Sequence, residues 1–263
     1  MRYNEKYFWR TYLMFFTNLL EANMNLKKIS FDMTYYPKTE STNDDIWELY
    51  NDDKKNNHFV ITDNQTDGRG RHNSSWESIP NKSITCSFLI NQFFKEKKMN
   101  LNSILIPVAI INGIKHFTDI NLEIKWPNDI IYNNNKLGGV LIESKNNLLN
   151  IGIGLNINQD IEDFPVKLTN QATSLNIIKG HHIQREPLLA SIFTDLDRLI
   201  EQSDPDKIIN EWMQYCSHIN KKIKFKHNDL VIEGVFRKLN QYGQAIIELD
   251  NKLIIYNGAI ETV

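Results

Sequence analysis

Cysteine is scarce: the 263 residues hold two, Cys86 and Cys216, far apart and with no second cysteine or histidine at metal-ligand spacing. Neither a zinc site nor a disulfide framework is therefore indicated, and two reduced thiols fit a cytoplasmic protein. An excess of one charge is lacking too. Lys+Arg 30 against Asp+Glu 32 leaves a net charge of -2, without the strongly basic footprint of a dedicated nucleic-acid binder. No apolar run is long enough to span a bilayer. The nearest candidate, residues 7–20, is short, is interrupted by Arg10 and precedes no small-residue cleavage site. It reads as an amphipathic helix packed on the body, or as an upstream extension of a protein whose business begins near Met24 or Met33. No internal repeat or low-complexity linker is present. The length suits one large domain, or a large one with a small companion.

What is present concentrates in a few stretches. Gln65, Thr66, Asp67, Gly68, Arg69, Gly70 and Arg71 follow a strand-like run at residues 58–62. Glycines allow a tight turn and close approach to a ligand, and arginines supply planar donor forks for carboxylate or phosphate oxygens. The loop suits a charged small molecule, although a Gly-Arg-Gly-Arg turn alone can equally be a solvated surface loop. It has neither the dinucleotide fingerprint nor the phosphate-loop spacing.

In chain order, residues 31–36 read as a strand, and Ser41 or Thr42 as the N-cap of a helix running to about Tyr50, with Asp44 and Asp45 suiting the helix dipole. The same free N–H groups and hydroxyls could receive a ligand's polar head. Residues 84–90 are a buried strand. Residues 101–117 form a core helix that Pro107 should kink. Residues 123–132 and 136–143 read as two strands of one hairpin across the turn at Asn133, Asn134 and Asn135. Lys125, Trp126, Asn128 and Asp129 are poor core residues for that strand end, which favours a site. Residues 148–155 are a strand whose Gly152 and Gly154 either let a ligand or backbone lie flat on it or relieve packing. Helices follow at about 186–202 and 205–217, with Pro205 in the first turn. His181 and His182 read as an exposed turn. Beyond about Asn220 come only short strands, at 222–226, 230–236, 245–249 and 253–256, a pattern suited to a small β-barrel. The basic run 221–226 is either one face of a solvated strand or a docking surface for an acidic partner.

Taken together, Ser41-Thr42-Asn43, the loop from Gln65 to Arg71, Lys125-Trp126-Pro127-Asn128-Asp129, Lys136-Leu137-Gly138-Gly139 and Gly152-Ile153-Gly154-Leu155-Asn156 resemble the biotin protein ligases, from about Phe31 to the C-terminus. Glu233-Gly234-Val235-Phe236 and the segment around Ile260 look like that family's small SH3-like domain. The resemblance implies an α+β fold: a catalytic domain similar to class II aminoacyl-tRNA synthetases, a mixed sheet flanked by helices, plus a small C-terminal SH3-like β-barrel. It divides the chain into an N-terminal extension (1–30), a biotin- and ATP-binding catalytic domain (31–219) and the C-terminal domain (220–263).

The implied reaction makes biotinyl-5'-AMP from biotin and ATP with Mg2+, then transfers biotin to a lysine of a biotin carboxyl carrier domain of acetyl-CoA carboxylase. Carried over by position, Ser41, Thr42, Asn43 and Gln65 line the biotin pocket, and Arg69, Gly70 and Arg71 close over biotin and adenylate. Lys136 contacts the carboxylate and α-phosphate, Gly152 lets the ligand pack on its strand, and Asn156 sits near the phosphates. Asp129 shapes the ATP side, Arg69, Arg71 and Lys136 are the catalytic cations, and Mg2+ arrives with ATP rather than at a protein metal site. The chain departs from many members at His72-Asn73-Ser74-Ser75, where Ser74 replaces an arginine, and near Ala172, where some members stack a tryptophan on adenine. Fewer than about 35 residues precede the matched region, about half of a DNA-binding domain, so a monofunctional ligase without operator binding, monomeric or weakly dimeric, is expected. The rivals are a lipoate or octanoate ligase of the sister family, and a catalytically idle biotin-binding adaptor.

Overall fold

The computed structural model describes residues 15–24, 26–71, 74–95, 98, 100–227, 230–257 and 260–262. A seven-stranded mixed sheet organises most of them, in the order β1-β2-β5-β9-β8-β7-β6. Its strands are β1 (Asp32–Tyr36), β2 (His58–Thr62), β5 (Ser83–Asn91), β6 (Glu123–Lys125), β7 (Asp129–Tyr132), β8 (Asn135–Lys145) and β9 (Leu148–Asn156). Only β1 and β2 run parallel, as a connection through helix α2 (Thr42–Asp53) requires.

Alternation along the central strands sorts the two faces of this sheet. In β5, Ile84, Cys86 and Phe88 enter the main core, and in β9 Ile151, Ile153 and Leu155 do the same. Helices α3 (Leu101–Lys115), α5 (Arg185–Gln202) and α6 (Pro205–Tyr215) close that core. On the other face, Ile46 of α2 packs with Val60, Leu89 and Leu148. The remaining positions there are small or polar: Thr85 and Ser87 of β5 stand opposite Gly154 and Gly152 of β9. Beyond the N-terminal end of α2, Trp76 packs on Gly154 and the rest of that half of the face stays open.

α3 continues through Pro107, which is buried within it. A correction concerns residues 123–132, expected as one strand. They fold back on themselves as β6 and β7, which pair antiparallel around Trp126, Pro127 and Asn128, with a cis bond before Pro127. β7 then pairs with β8 as the expected hairpin.

The N-terminal segment is built into the body as far as it is described. Phe15 and Leu20, the latter on helix α1 (Thr17–Asn23), are buried in the main core. The Phe15 N–H donates to Asp63 at 2.9 Å, and the Lys27, Lys28 and Ile29 N–H groups donate to Asp197 at 2.7–2.9 Å. Asp63 also pairs with buried Arg185 at 2.8 Å and accepts from the Tyr35 hydroxyl at 2.7 Å. The amphipathic-helix expectation for residues 7–20 otherwise lies outside the described residues.

At the C-terminal end, β10 (Lys222–His227), β11 (Leu230–Leu239), β12 (Ala245–Leu249), β13 (Lys252–Tyr256) and β14 (Ile260–Thr262) form a five-stranded antiparallel sheet, in the order β13-β12-β11-β10-β14. The expected barrel is not seen closed: among the described residues no pairing joins β13 to β14, so the sheet is open. Ile223 and Phe225 of β10 are buried, which leaves Lys222, Lys224 and Lys226 alternating onto the opposite face. The basic run is thus the outer side of an amphipathic strand. His181 and His182 are exposed, as expected for a turn. No helix of the described residues is long and apolar enough to cross a membrane.

Candidate active site

The uncovered half of the sheet face is the floor of a cavity of about 290 Å³. Ser41, Thr42, Asn43, Gln65, Arg69, Gly70, Arg71, Asp129, Lys136 and Gly152 all line it, drawn from five separate segments of sequence. Of the expected site residues, Asn156 is the exception.

One end is polar and buried. The Gln65 side-chain oxygen accepts from the Thr42 N–H at 2.8 Å and from the Thr42 hydroxyl at 3.2 Å, and the Thr42 and Ser87 hydroxyls lie 2.6 Å apart. The Ser87 hydroxyl donates to Asn43 Oδ1 at 2.6 Å, and Asn150 Nδ2 donates to the Asn43 carbonyl at 2.8 Å. Ser41 occupies the N-cap position, but its side chain makes no capping bond. Three polar atoms here are left over among the described residues: Asn43 Nδ2, Thr85 Oγ1 and Asn150 Oδ1 are buried with no hydrogen-bond partner. A buried unpaired donor costs about 1–3 kcal/mol, so this end is set up for a ligand with matching groups. Gly152 is required there for space rather than for backbone freedom, since a Cβ would sit 2.3 Å from Asn43 Oδ1.

The wall is Trp76, whose ring lies flat enough on Gly154 that a Cβ there would fall 2.5 Å from it. Val140, Leu141 and, from the C-terminal sheet, Ile260 add apolar lining.

The other end is cationic. Lys136 Nζ sits 2.7 Å from Asp129 Oδ1. Arg71 is half-buried, and its Nη1 donates only to Asn128 Oδ1, at 3.4 Å. Among the described residues no carboxylate lies within ion-pair distance of it, and burial pulls its pKa below the ordinary arginine value against the counter-pull of Asp129. A desolvated, underpaired guanidinium attracts a ligand anion strongly. Arg69 differs: its fork closes on Asp44 at 2.6 and 2.5 Å, and it lies 3.7 Å from Glu143. The hydrogen bonds that Arg69 donates to Asp44 raise the Arg69 pKa.

Asn156 does not line the cavity. Its Nδ2 donates to the Thr173 carbonyl at 3.0 Å and its Oδ1 accepts from Gln159 at 3.1 Å. Thr173 in turn donates its N–H to the Lys136 carbonyl at 2.9 Å. The asparagine therefore braces the segment beside Lys136 instead of facing the phosphates. Ala172 bridges to Lys136 in the same brace.

Sequence reasoning passed over Thr85 and Ser87. Their signal was the polar set Ser83, Thr85 and Ser87 alternating with Ile84, Cys86 and Phe88. Cys86 itself is a core thiol, its pKa raised by burial. Among the described residues, no group of three or more His, Cys, Asp or Glu side chains is placed to hold a metal.

Residues 35–158 match the Biotin/lipoate A/B protein ligase family, a segment that contains the large sheet except the first part of β1, and nearly all the cavity lining. Those residues carry that family's domain. The chain is similar to the bifunctional ligase/repressor BirA of Bacillus subtilis, 28% identical over 240 residues that cover 87% of this chain and 73% of the relative. Its fold is that of solved biotin protein ligases. The enzyme from Aquifex aeolicus, in complex with biotin and ATP, superposes with a TM-score of 0.77 at 22% identity, over 88% of this chain and 97% of that one. The enzyme from Leishmania major, in complex with biotinyl-5-AMP, gives a TM-score of 0.62 at 21% identity, over 88% and 98%.

Proposed function

We propose that this protein is an ATP-dependent biotin protein ligase that modifies a lysine of a biotin carboxyl carrier domain, of the kind found in acetyl-CoA carboxylase. The observation that carries the reading is the polarity of one cavity. Unpartnered Asn43 Nδ2 and Thr85 Oγ1 at one end match a neutral polar ring such as a ureido group, and Arg71 with Lys136 at the other matches a carboxylate beside a phosphate. The apolar wall between them suits an aliphatic chain. Relatives and neighbours named as ligases, and bound to biotin, ATP or biotinyl-5-AMP, support it.

In the first step a biotin carboxylate oxygen attacks the α-phosphorus of ATP, the bond to the bridging oxygen breaks, and pyrophosphate leaves with Mg2+. Lys136 and Arg71 would hold the two anions together and offset their repulsion, which is the main electrostatic barrier to this step. Asp129 fixes Lys136 Nζ in place, and Asn128 orients Arg71. In the second step the acceptor amine attacks the carbonyl carbon, AMP leaves, and the amine gives up a proton. No protein nucleophile is required. Ser41, Thr42, Asn43, Gln65 and Gly152 would shape the biotin end, and Gly70 would allow the loop to cross the mouth. Residues 31–219 would act as the catalytic domain, with 220–263 as an SH3-like appendage that lends Ile260 to the cavity.

ATP–pyrophosphate exchange with biotin or lipoate as the only acid, followed by mass analysis of an added carrier domain, tests the proposal. Biotin-dependent exchange and biotin on the carrier lysine are expected. Exchange with lipoate alone would move the chain to the sister activity, and tight biotin binding without exchange would make it an idle adaptor.

A further inference from the structure

Arg69 was expected to meet the ligand, yet its guanidinium is spent elsewhere. The segment that carries it is a small ribbon: β3 (Gly68–Arg69) pairs with β4 (Ser75–Trp76), and the Gly70 N–H donates to the Ser74 carbonyl at 2.7 Å. The ribbon tip has the cavity on one side and open space bounded by Leu141 and Glu143 on the other. Among the described residues, two side chains tie the tip to the body. Arg71 reaches Asn128 at 3.4 Å, a weak contact. Arg69 makes a two-pronged, charge-assisted fork on Asp44 at 2.6 and 2.5 Å, the stronger geometry.

The anchors of that fork are built into the polar floor. Asp44 lies in the first turn of α2, next to Thr42 and Asn43, where the helix N-terminus favours its carboxylate. Glu143, 3.7 Å from Arg69, accepts from Trp47 Nε1 at 2.8 Å and from Asn150 Nδ2 at 3.4 Å, and Asn150 holds the Asn43 backbone. One chain of contacts thus runs from the floor of the cavity to the strap across its mouth.

We propose that Asp44 and Glu143 are positioning residues: they hold Arg69, and with it the paired strands β3 and β4, over the cavity so that the adenylate intermediate stays bound until its acceptor amine arrives. The proposal rests on the ligase reading above. Closure of this kind costs nothing in the chemical step, because neither carboxylate touches the reacting atoms. What it governs is escape of a reactive mixed anhydride, and entry of biotin.

The test uses the full chain. Biotinyl-AMP is formed from labelled ATP, the complex is chased with unlabelled substrates, and label release is followed alongside biotinylation of bystander lysines on serum albumin. Asp44→Asn is expected to raise the release rate and the biotin KM about fivefold, as loss of a partly exposed but bidentate ion pair predicts. Exchange turnover at saturating biotin stays within about twofold of the parent, since chemistry is untouched. Glu143→Gln, which keeps the Trp47 contact, moves both in the same direction by less, and Asp44→Glu restores most of the retention. Added salt speeds release from the parent more than from Asp44→Asn, because the variant keeps only the longer Arg69–Glu143 pair to screen. Release at the parental rate from Asp44→Asn overturns the proposal, as does equal leakage from Asp44→Glu and Asp44→Asn. Absence of biotin-dependent exchange in the parent instead overturns the ligase reading itself.

Discussion

Adding one methyl group at Gly152 probes the polar end of the cavity, where the proposed function places biotin. The residue stands opposite Ser87 in the β5–β9 ladder, on the face that carries Asn43. A Cβ there would lie 2.3 Å from Asn43 Oδ1, 3.3 Å from Asn43 Cγ and 3.4 Å from Ser87 Oγ. An ordinary contact is about 3.4 Å or more, so the Asn43 amide must withdraw by roughly 1 Å. It cannot do so freely. Its Oδ1 accepts from Ser87, its backbone carbonyl from Asn150, and it begins α2. Overpacking of this order costs about 1–3 kcal/mol, which corresponds to about a 5- to 150-fold loss of affinity for whatever meets Asn43 Nδ2. For Gly152→Ala the biotin KM in pyrophosphate exchange is therefore expected to rise by that range, while the ATP KM changes less than about threefold. An unchanged biotin KM in a folded variant, or an equal rise for ATP, would refute the assignment of this end to biotin.

Replacing Lys136 with Ala should cut the exchange turnover about 100-fold or more, the usual loss for one preorganised stabilising group, with biotin binding by calorimetry largely kept. Arg71→Gly should let biotinyl-AMP escape and label bystander lysines, so unaltered acceptor selectivity would contradict its place at the anion end. Arg185→Met leaves the Asp63 carboxylate buried without its 2.8 Å partner, an arrangement that costs about 3–5 kcal/mol; a melting temperature within about 3 °C of the parent would show the pair to be dispensable. His218 is buried against Phe236 and Trp212, and burial lowers its pKa to about 3. Below the unfolded value of about 6.5 the unfolded chain takes up a proton that the folded chain refuses, so stability falls by up to ~1.4 kcal/mol per pH unit as pH drops toward about 3. His218→Gln should flatten that part of the pH profile in chemical denaturation, and an identical slope would sink the assignment.

Much of this was legible in one dimension because the site residues sit in short local motifs with a physical demand of their own. The arginines at 69 and 71 among glycines, and Lys125, Asn128 and Asp129 at a strand end, are residue types that a core rejects, so they announced themselves; Trp126, read with them as a poor core residue, is buried in the main core. The helix start at Ser41 to Asn43 was visible from its capping chemistry, and the strands from their apolar alternation. Less visible was the break in residues 123–132. Its apolar content reads as one continuous strand, and nothing local says that Trp126, Pro127 and Asn128 make the turn that brings Asn128 under Arg71. Four of the five C-terminal strands were placed nearly residue by residue, yet closure into a barrel depends on which edges meet, and β13 and β14 do not pair among the described residues.

The amino-acid order by itself determined which groups are available: three cations at 69, 71 and 136, a polar helix start, glycines at 152 and 154, and a pattern that resembles one ligase family. Those properties follow from residue chemistry and from spacings of a few positions, which survive any arrangement of the rest. Tertiary structure decided how each group is spent. Arg69 and Arg71 are two residues apart and chemically identical, but one faces Asp44 and Glu143 while the other meets only an amide. Asn156 belongs to the same motif as Gly152 and Gly154, yet its amide braces Thr173 behind Lys136. Partners for a long polar side chain come from strands and helices far away in sequence, so their identity is fixed only when the sheet has formed and the ribbon has folded across it.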